Sequence, residues 1–277
     1  MILNPKKTGQ PRTRSFAAKK VLSLTLLSLL MAISFTSVSY ADWSFGIGTG
    51  LFGLNVDGEI GFHTNLAGST KLDIDLDAED TSDLMESAFG LGGYATDGTW
   101  MIKYSIGELE LEGKKSTSLP AINSTANTKV NFEVTAAEVT VGYPVYQTPS
   151  VIVTVDGGLR YTDHDLSSSL VFTGGVNGSR TKNIDESWTD FLIGGTVTVP
   201  FAEKWAWTTS ANAGFGGSEG TYFGYTGVTW HFLENWSTTL YAKYTAIEYE
   251  TGSRGDADWY LYDVDEFGPG INVLYNF

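Results

Sequence analysis

Ile271-Asn272-Val273-Leu274-Tyr275-Asn276-Phe277 alternates apolar and polar side chains and stops on an aromatic ring. The alternation has the period of a strand with one face in an apolar environment. The last residues of a domain usually fray, so a soluble protein rarely ends so abruptly on a ring.

The same pattern recurs throughout the chain. Trp205, Trp207, Ala211, Ala213 and Phe215 fall on one face of a segment, and Ala206, Thr208, Ser210, Asn212 and Gly214 on the other. Tyr222, Val228, Trp230 and Phe232 oppose Tyr225, Gly227, Thr229 and His231, while Trp236, Leu240 and Tyr244 oppose Thr239, Lys243 and Thr245. Val151, Val153, Val155, Leu159 and Tyr161 oppose Asp156, Arg160 and His164; Ile193, Val197 and Val199 oppose Asp190, Thr196 and Thr198. Period alone does not separate a soluble sandwich from a membrane barrel, because both alternate.

Three further features favour the barrel. Aromatic residues flank short turns: Tyr94 and Trp100 around Asp97-Gly98, Tyr143 and Tyr146 before Gln147, Phe201 and Trp205 around Ala202-Glu203-Lys204, Phe232 and Trp236 around Leu233-Glu234-Asn235. Such rings suit a membrane interface, where the ring is buried and its polar edge stays wet. Longer polar stretches alternate with these turns, at Asn55 to Leu84, Gly113 to Thr128, Thr173 to Asn183 and Thr251 to Glu266. The polar faces carry small residues and charges of both signs, as a narrow lumen requires. The reading is an all-β fold, a transmembrane antiparallel up-and-down β-barrel of about ten strands. Eight strands follow if 43–54 and its partner are misread, twelve if Lys71 to Asp77 pairs as a strand. The expected spans are 43–54, 85–96, 99–112, 129–146, 150–172, 184–201, 205–215, 220–232, 236–250 and 266–277, with Asp80 to Met85 either a helical turn in the first loop or a segment dipping into the lumen.

Residues 1–41 read as a signal peptide. Lys6, Lys7, Arg12, Arg14, Lys19 and Lys20 form a basic start without an acidic residue, Val21 to Phe35 an apolar run, and Ser39-Tyr40-Ala41 a small-x-small site with cleavage before Asp42. A retained signal anchor is the alternative. Residues 42–277 then form one barrel domain. Those six cations are part of the 17 Lys and Arg of the whole chain, so the processed chain keeps 11 against 32 Asp and Glu. That acidity argues against nucleic acid, whose phosphates need cations. There is no Cys, so neither a disulfide nor a thiolate is available. No later stretch approaches the roughly 18 apolar residues of a membrane helix.

A strand ending in Tyr275-Asn276-Phe277, in a chain that opens on a secretion signal, resembles the terminal strand of bacterial outer-membrane β-barrels. The resemblance implies that Phe277, with Tyr275, is read as an assembly signal by the barrel assembly machinery. It implies residence in the outer membrane of a Gram-negative cell, among lipid and lipopolysaccharide, as a monomer. A narrower resemblance rests on the order Gly157-Gly158-Leu159-Arg160-Tyr161-Thr162-Asp163, Trp188-Thr189-Asp190 with Gly194-Gly195, Ala213-Gly214-Phe215-Gly216-Gly217, Tyr225 to Phe232, Tyr241 to Tyr249 and Gly268-Pro269-Gly270. It is similar to a mostly uncharacterised family of small outer-membrane barrels, which implies fold and location and no activity.

Candidate chemistry is sparse. Arg160 and Asp190 are expected to point inward from adjacent strands and to pair, because buried charges need partners. Lys103, Glu138, Asp156 and Lys243 would extend this lumen charge network. It reads either as a selective constriction of a narrow, porin-like pore or as a plug of ion pairs. His164, between Asp163 and Asp165 near the outer rim, is the candidate for a rim hydrolase site; an exposed histidine is the plain alternative. Ser167, Ser168 and Ser169 lie nearby, His63 is expected in a loop and His231 at the other rim. The Asp-His segments of omptin proteases and the His/Ser motifs of lipid A deacylases are not found. Asp73, Asp75, Asp77, Glu79, Asp80 and Asp83 form an acidic loop that lacks the glycine and closing glutamate of a calcium loop. It reads as a solvated loop, with divalent bridging to lipopolysaccharide phosphates as the alternative. No catalytic set, metal site or cofactor is assigned. The function expected is a non-enzymatic barrel, either structural and surface-binding or a narrow passive pore; the alternative is a barrel-embedded hydrolase acting on lipid or peptide.

Overall fold

The computed structural model describes residues 43–64, 68–119, 123–175 and 177–277. The expected signal peptide lies outside the described residues. Twelve strands and one short helix follow in order: β1 (Ser44–Phe52), β2 (Asn55–Thr64), β3 (Gly68–Leu76), α1 (Ala78–Leu84), β4 (Met85–Thr96), β5 (Met101–Leu119), β6 (Ser124–Gln147), β7 (Ile152–Gly174), β8 (Gly178–Ala202), β9 (Trp205–Phe215), β10 (Gly220–His231), β11 (Trp236–Thr251) and β12 (Tyr260–Asn276).

Ten of them close a ring of antiparallel neighbours, β1 and β4 through β12, sealed by the pairing of β1 with β12. The remaining two, β2 and β3, form a hairpin outside this ring. β12 is long enough to serve two partners. Its Gly270–Asn276 half pairs with β1, and its Tyr260–Phe267 half pairs with β2. β1 and β2 therefore continue one line along β12, broken at Gly53, whose N–H donates to the Pro269 carbonyl at 2.8 Å. The acidic stretch expected as a loop is thus β3 followed by α1. The side chain of Asp77 accepts the N–H groups of Glu79 and Asp80 and caps the helix.

Several strands outrun a membrane crossing, and their polarity reverses along their length. In the lower part of β7, Val155, Leu159 and Tyr161 are outward and exposed, whereas Asp156 and Arg160 are inward and buried. Three residues beyond Tyr161 the faces exchange character: His164 and Leu166 are the buried ones. The same reversal occurs on β8, where exposed Ile193 and Phe191 give way to inward Trp188 and Ile184. It also occurs on β12, between exposed Ile271 and Phe267 and inward Val264, Tyr262 and Tyr260.

Two zones result. The lower zone has an apolar exterior, edged below by Trp100, Tyr146, Phe201, Trp205, Trp230 and Trp236, and above by Tyr161, Phe191, Phe215, Tyr222, Tyr244 and Phe267, all exposed. That band suits a hydrocarbon layer. The upper zone is a dome built like a water-soluble protein, apolar inside. Its core contains Val56, Leu166, Ile184, Trp188, Ile247, Tyr249, Tyr260, Tyr262 and Val264. β9 ends at Phe215 and β10 begins at Gly220. Above these short strands the walls of β8 and β11 approach, and Trp188 stacks on Tyr249.

Candidate functional site

Alternation along the strands sends Lys103, Glu138, Asp156, Arg160, Asp190 and Lys243 into the lower interior, but their partners differ from those expected. The Arg160 guanidinium donates from Nε and Nη2 to Glu138 Oε2, at 2.9 and 2.5 Å. Arg160 and Asp190 are direct cross-strand neighbours, yet no bond joins them among the described residues. Asp190 instead caps the β9–β10 turn. Its carboxylate accepts the N–H groups of Gly217 and Ser218 at 3.0 and 2.8 Å, and the hydroxyls of Ser218 and Thr221 at 2.8 and 3.0 Å. Four short bonds stabilise that carboxylate without a cation, which frees Arg160 for the longer, more flexible Glu138. The expected Arg160–Asp190 pair is corrected accordingly.

Lys103 Nζ reaches from β5 past β6. It meets Asp156 Oδ1 at 2.9 Å on β7 and donates to Thr196 Oγ1 at 3.2 Å on β8. Thr196 in turn donates to Asp156 Oδ2 at 2.7 Å. Lys243 stands apart. Its ammonium lies 5.2 Å from the ring centre of Phe52 and 6.0 Å from that of Phe223. Among the described residues it forms no ion pair, so it does not extend the network by contact. Arg160 also sits over Phe223, at 5.6 Å.

His164 is buried rather than exposed at the rim, with a relative exposure of 1%. Rings of Phe132, Trp188, Tyr260 and Tyr262 surround it, with centroid separations between 4.4 and 6.3 Å. Its Nδ1 lies 3.0 Å from Tyr260 Oη, and its Nε2 has no hydrogen-bond partner. His164 lies above the apolar band, in the dome, where burial pushes its imidazole down to about 3. Asp163 and Asp165 fall on the opposite face of β7, as alternation requires. His63 lies in β2 rather than in a loop, with Nδ1 3.3 Å from Ser69 Oγ across the hairpin. His231 is exposed at the lower end of β10. Among the described residues no group of three or more His, Cys, Asp or Glu converges as metal ligands would.

At the chain's end, Phe277 N–H donates to the Phe45 carbonyl at 2.8 Å, and the Tyr275 ring packs edge-on against Trp236 and Phe277. The terminal aromatics are thus integrated into the lower seam of the ring.

A cavity of about 1250 Å³ occupies the interior between β1 to β6 and the facing strands. Its outer part is lined by Leu76, Leu109, Val130, Phe132, Leu166 and Tyr262; deeper in it meets Lys103, Glu138, Asp156 and Lys243. Sequence reading missed this apolar chamber and the aromatic cage around His164. The signal was present in Leu109-Glu110-Leu111-Glu112, where alternation continues while the apolar residues change from the outward face to the inward one.

No family model matches the chain, and no curated protein matches it. Solved structures do. The outer membrane protease OmpT from Escherichia coli superposes with a TM-score of 0.54 at 9% identity, over 87% of this chain and all of that one. The translocator domain of the autotransporter NalP from Neisseria meningitidis gives 0.43 at 13% identity, over 94% and 98%. Neisserial surface protein A gives 0.32 at 11% identity, over 85% and 97%. At such identities the likeness concerns fold alone: this chain has the antiparallel up-and-down fold of the bacterial outer-membrane β-barrels.

Proposed function

We propose that this chain is a non-enzymatic outer-membrane barrel that binds rather than conducts. The observation that carries this reading is the aromatic core of the dome. Trp188 and Tyr249 stack with ring centroids 4.0 Å apart, and His164, Tyr260 and Tyr262 pack beside them. This joins β7 and β8 to β11 and β12 across the outer half of the barrel, where a water-filled pore would need an open path. In the lower half the Arg160–Glu138 and Lys103–Asp156–Thr196 contacts hold the interior side chains together.

The hydrolase alternative, which the fold likeness to a protease raises, finds little support at His164. A general base must reach the proton that it abstracts, and this imidazole is enclosed by rings and bonded to a tyrosine. Within this reading, lipid and lipopolysaccharide surround the apolar band, and Phe277 with Tyr275 engages the barrel assembly machinery after removal of residues 1–41. The protein acts as a monomer.

Planar-bilayer recording of the refolded protein tests the reading. Silence is expected for the wild type, and Trp188→Ala combined with Tyr249→Ala should open measurable conductance. A steady ion-selective channel in the wild type would refute it.

A further inference from the structure

The wall of the barrel is incomplete on one side. β1 pairs with β4 only from Ser44–Gly48 to Thr96–Gly92. Beyond that point Thr49–Phe52 keeps its partners on β12, and Met85–Leu91 keeps its partners on β5, but the two edges no longer form a ladder with each other. One bond crosses between them, from Thr49 Oγ1 to the Gly90 carbonyl at 2.6 Å. Continuing the register would set Leu51 opposite Phe89. Both side chains belong to the outward rows, 78% and 54% exposed like others of the band, yet both also border the interior cavity. Strand edges without a ladder partner at membrane depth are tolerated only where protein covers them or where they line a water-filled cavity, so these two edges are expected to draw on water inside the chamber. The slot thus connects the level of the apolar band with the chamber inside.

The chamber supplies two kinds of contact. Its outer walls are aliphatic and aromatic. Deeper in, Lys243 lies over the rings of Phe52 and Phe223, with the hydroxyl-bearing Tyr225 and Tyr241 beside it on the cavity wall. Arg160, Lys103 and Asp190 each have polar partners in contact, and Glu266 accepts the Tyr262 hydroxyl at 3.1 Å; Glu266 and Glu138, both on the cavity wall, act on the Lys243 charge from a distance without touching it. Lys243 is the inward cation left without a counter-ion in contact among the described residues. A desolvated ammonium needs one. The volume of about 1250 Å³ lies just above the roughly 300–1,000 Å³ of typical ligand pockets.

We propose that the chamber binds a single-chain anionic amphiphile, a long-chain carboxylate, which enters through the β1–β4 slot. The headgroup is held by Lys243, and the chain lies against Leu109, Val130 and Phe132. This rests on the binding reading above and names its ligand. The charge of the head follows from Lys243, the apolar tail from the walls, and the route from the slot's position in the apolar band.

The test uses the refolded full-length barrel in a neutral maltoside, with fluorescence displacement and native mass spectrometry as readouts. Hexadecanoate and hexadecanol are the probes. Saturable 1:1 binding of hexadecanoate is expected, weakened about tenfold or more by Lys243→Met, as expected for loss of one charge-assisted contact, and retained by Lys243→Arg. Hexadecanol should bind more weakly and be indifferent to Lys243→Met. Ala136→Trp, which fills the chamber from the β6 wall, should abolish binding of both. Heat-modifiable gel migration establishes that each variant is folded. Because the chain lacks cysteine, Leu51→Cys with Phe89→Cys can be oxidised to close the slot, and loading from neutral vesicles should stop and return on reduction. No saturable binding by the wild type, or a folded Lys243→Met variant that binds hexadecanoate as tightly as the wild type, overturns the proposal. So does loading that ignores the closed slot. A conducting wild type that still binds hexadecanoate would overturn only the non-conducting reading.

Discussion

Trp188 and Tyr249 stack nearly parallel, at 13° between ring planes and 4.0 Å between centroids, although β9 and β10 separate their strands in the sheet. The contact exists because β9 and β10 stop short, leaving the walls on either side free to lean together. Tyr249 Oη then reaches Glu186 Oε2 at 3.1 Å, so one ring serves both the apolar core and its polar edge. Trp188→Ala is expected to lower stability by about 3–5 kcal/mol while the lower zone still inserts. Urea titration in detergent micelles, followed by tryptophan fluorescence, measures the loss. Trypsin sensitivity confined to the dome would localise it. An unchanged midpoint would show that the stack contributes nothing.

The two cross-strand neighbours of Arg160 should behave differently. A double-mutant cycle between Arg160 and Glu138 is expected to give a coupling on the order of 1–3 kcal/mol, because the pair is joined by two hydrogen bonds in a mostly enclosed interior. The corresponding cycle between Arg160 and Asp190 should fall below about 0.5 kcal/mol. Equal couplings would mean that the guanidinium divides itself between both carboxylates.

His164 gives the dome a pH dependence of definite sign. Its folded-state value is depressed by burial to about 3, against an unfolded value of about 6.5. The unfolded chain therefore binds the proton first. Stability is fully present above about pH 6.5 and declines as the pH falls towards 3. Hydrogen-exchange protection factors, corrected for the pH dependence of intrinsic exchange, should fall over that window in the upper parts of β7 and β8 of the wild type, and much less in His164→Phe. An identical loss of protection in the variant would assign the effect to the surface carboxylates.

Gly268 sits where β12 changes partner. A Cβ there would lie 1.8 Å from the Gly53 carbonyl oxygen, a backbone atom that cannot move aside alone. Gly268→Ala should sharply reduce the yield of heat-modifiable barrel. Gly98→Ala, in a tight turn with open space around it and φ +84°, should cost only about 1–2 kcal/mol. Normal folding of Gly268→Ala would show that the β1–β2 junction is not fixed by this contact.

The ring was legible in the sequence because the outward rows are long and aromatic: the span 205–215 coincides with β9, and 85–96 with β4. The dome was not legible, for a physical reason. Its strands continue those of the band without a break, so Gly113 to Thr128, polar by composition, reads as a loop although β5 runs to Leu119 and β6 starts at Ser124. The hairpin of β2 and β3 hides in the same way, since Val56, Ile60 and Phe62 make too thin an apolar row beside Gly58 and Gly61. At the charged interior, alternation correctly sends Arg160 and Asp190 inward. It carries no information on side-chain reach or on the Gly217 and Ser218 amides that claim the aspartate. His164 was misread because its flanking aspartates suggest water, whereas above Tyr161 the acidic face is the outer one.

The double duty of β12 has a kinetic consequence. Every junction from β4 to β12 joins consecutive segments and can zip from local hairpins. β1 can pair early with β4 and β2 with β3, but their ladders to β12 must wait for the last strand of the described chain; the Asn55 amide donating to the Phe267 carbonyl spans 212 residues. Loop closure of that length and high contact order make such steps slow. Sealing the ring and docking the β2–β3 hairpin should then occur as one late event, with the ten ring strands a transient open sheet whose two raw edges, β1 and β12, need protection until it is over.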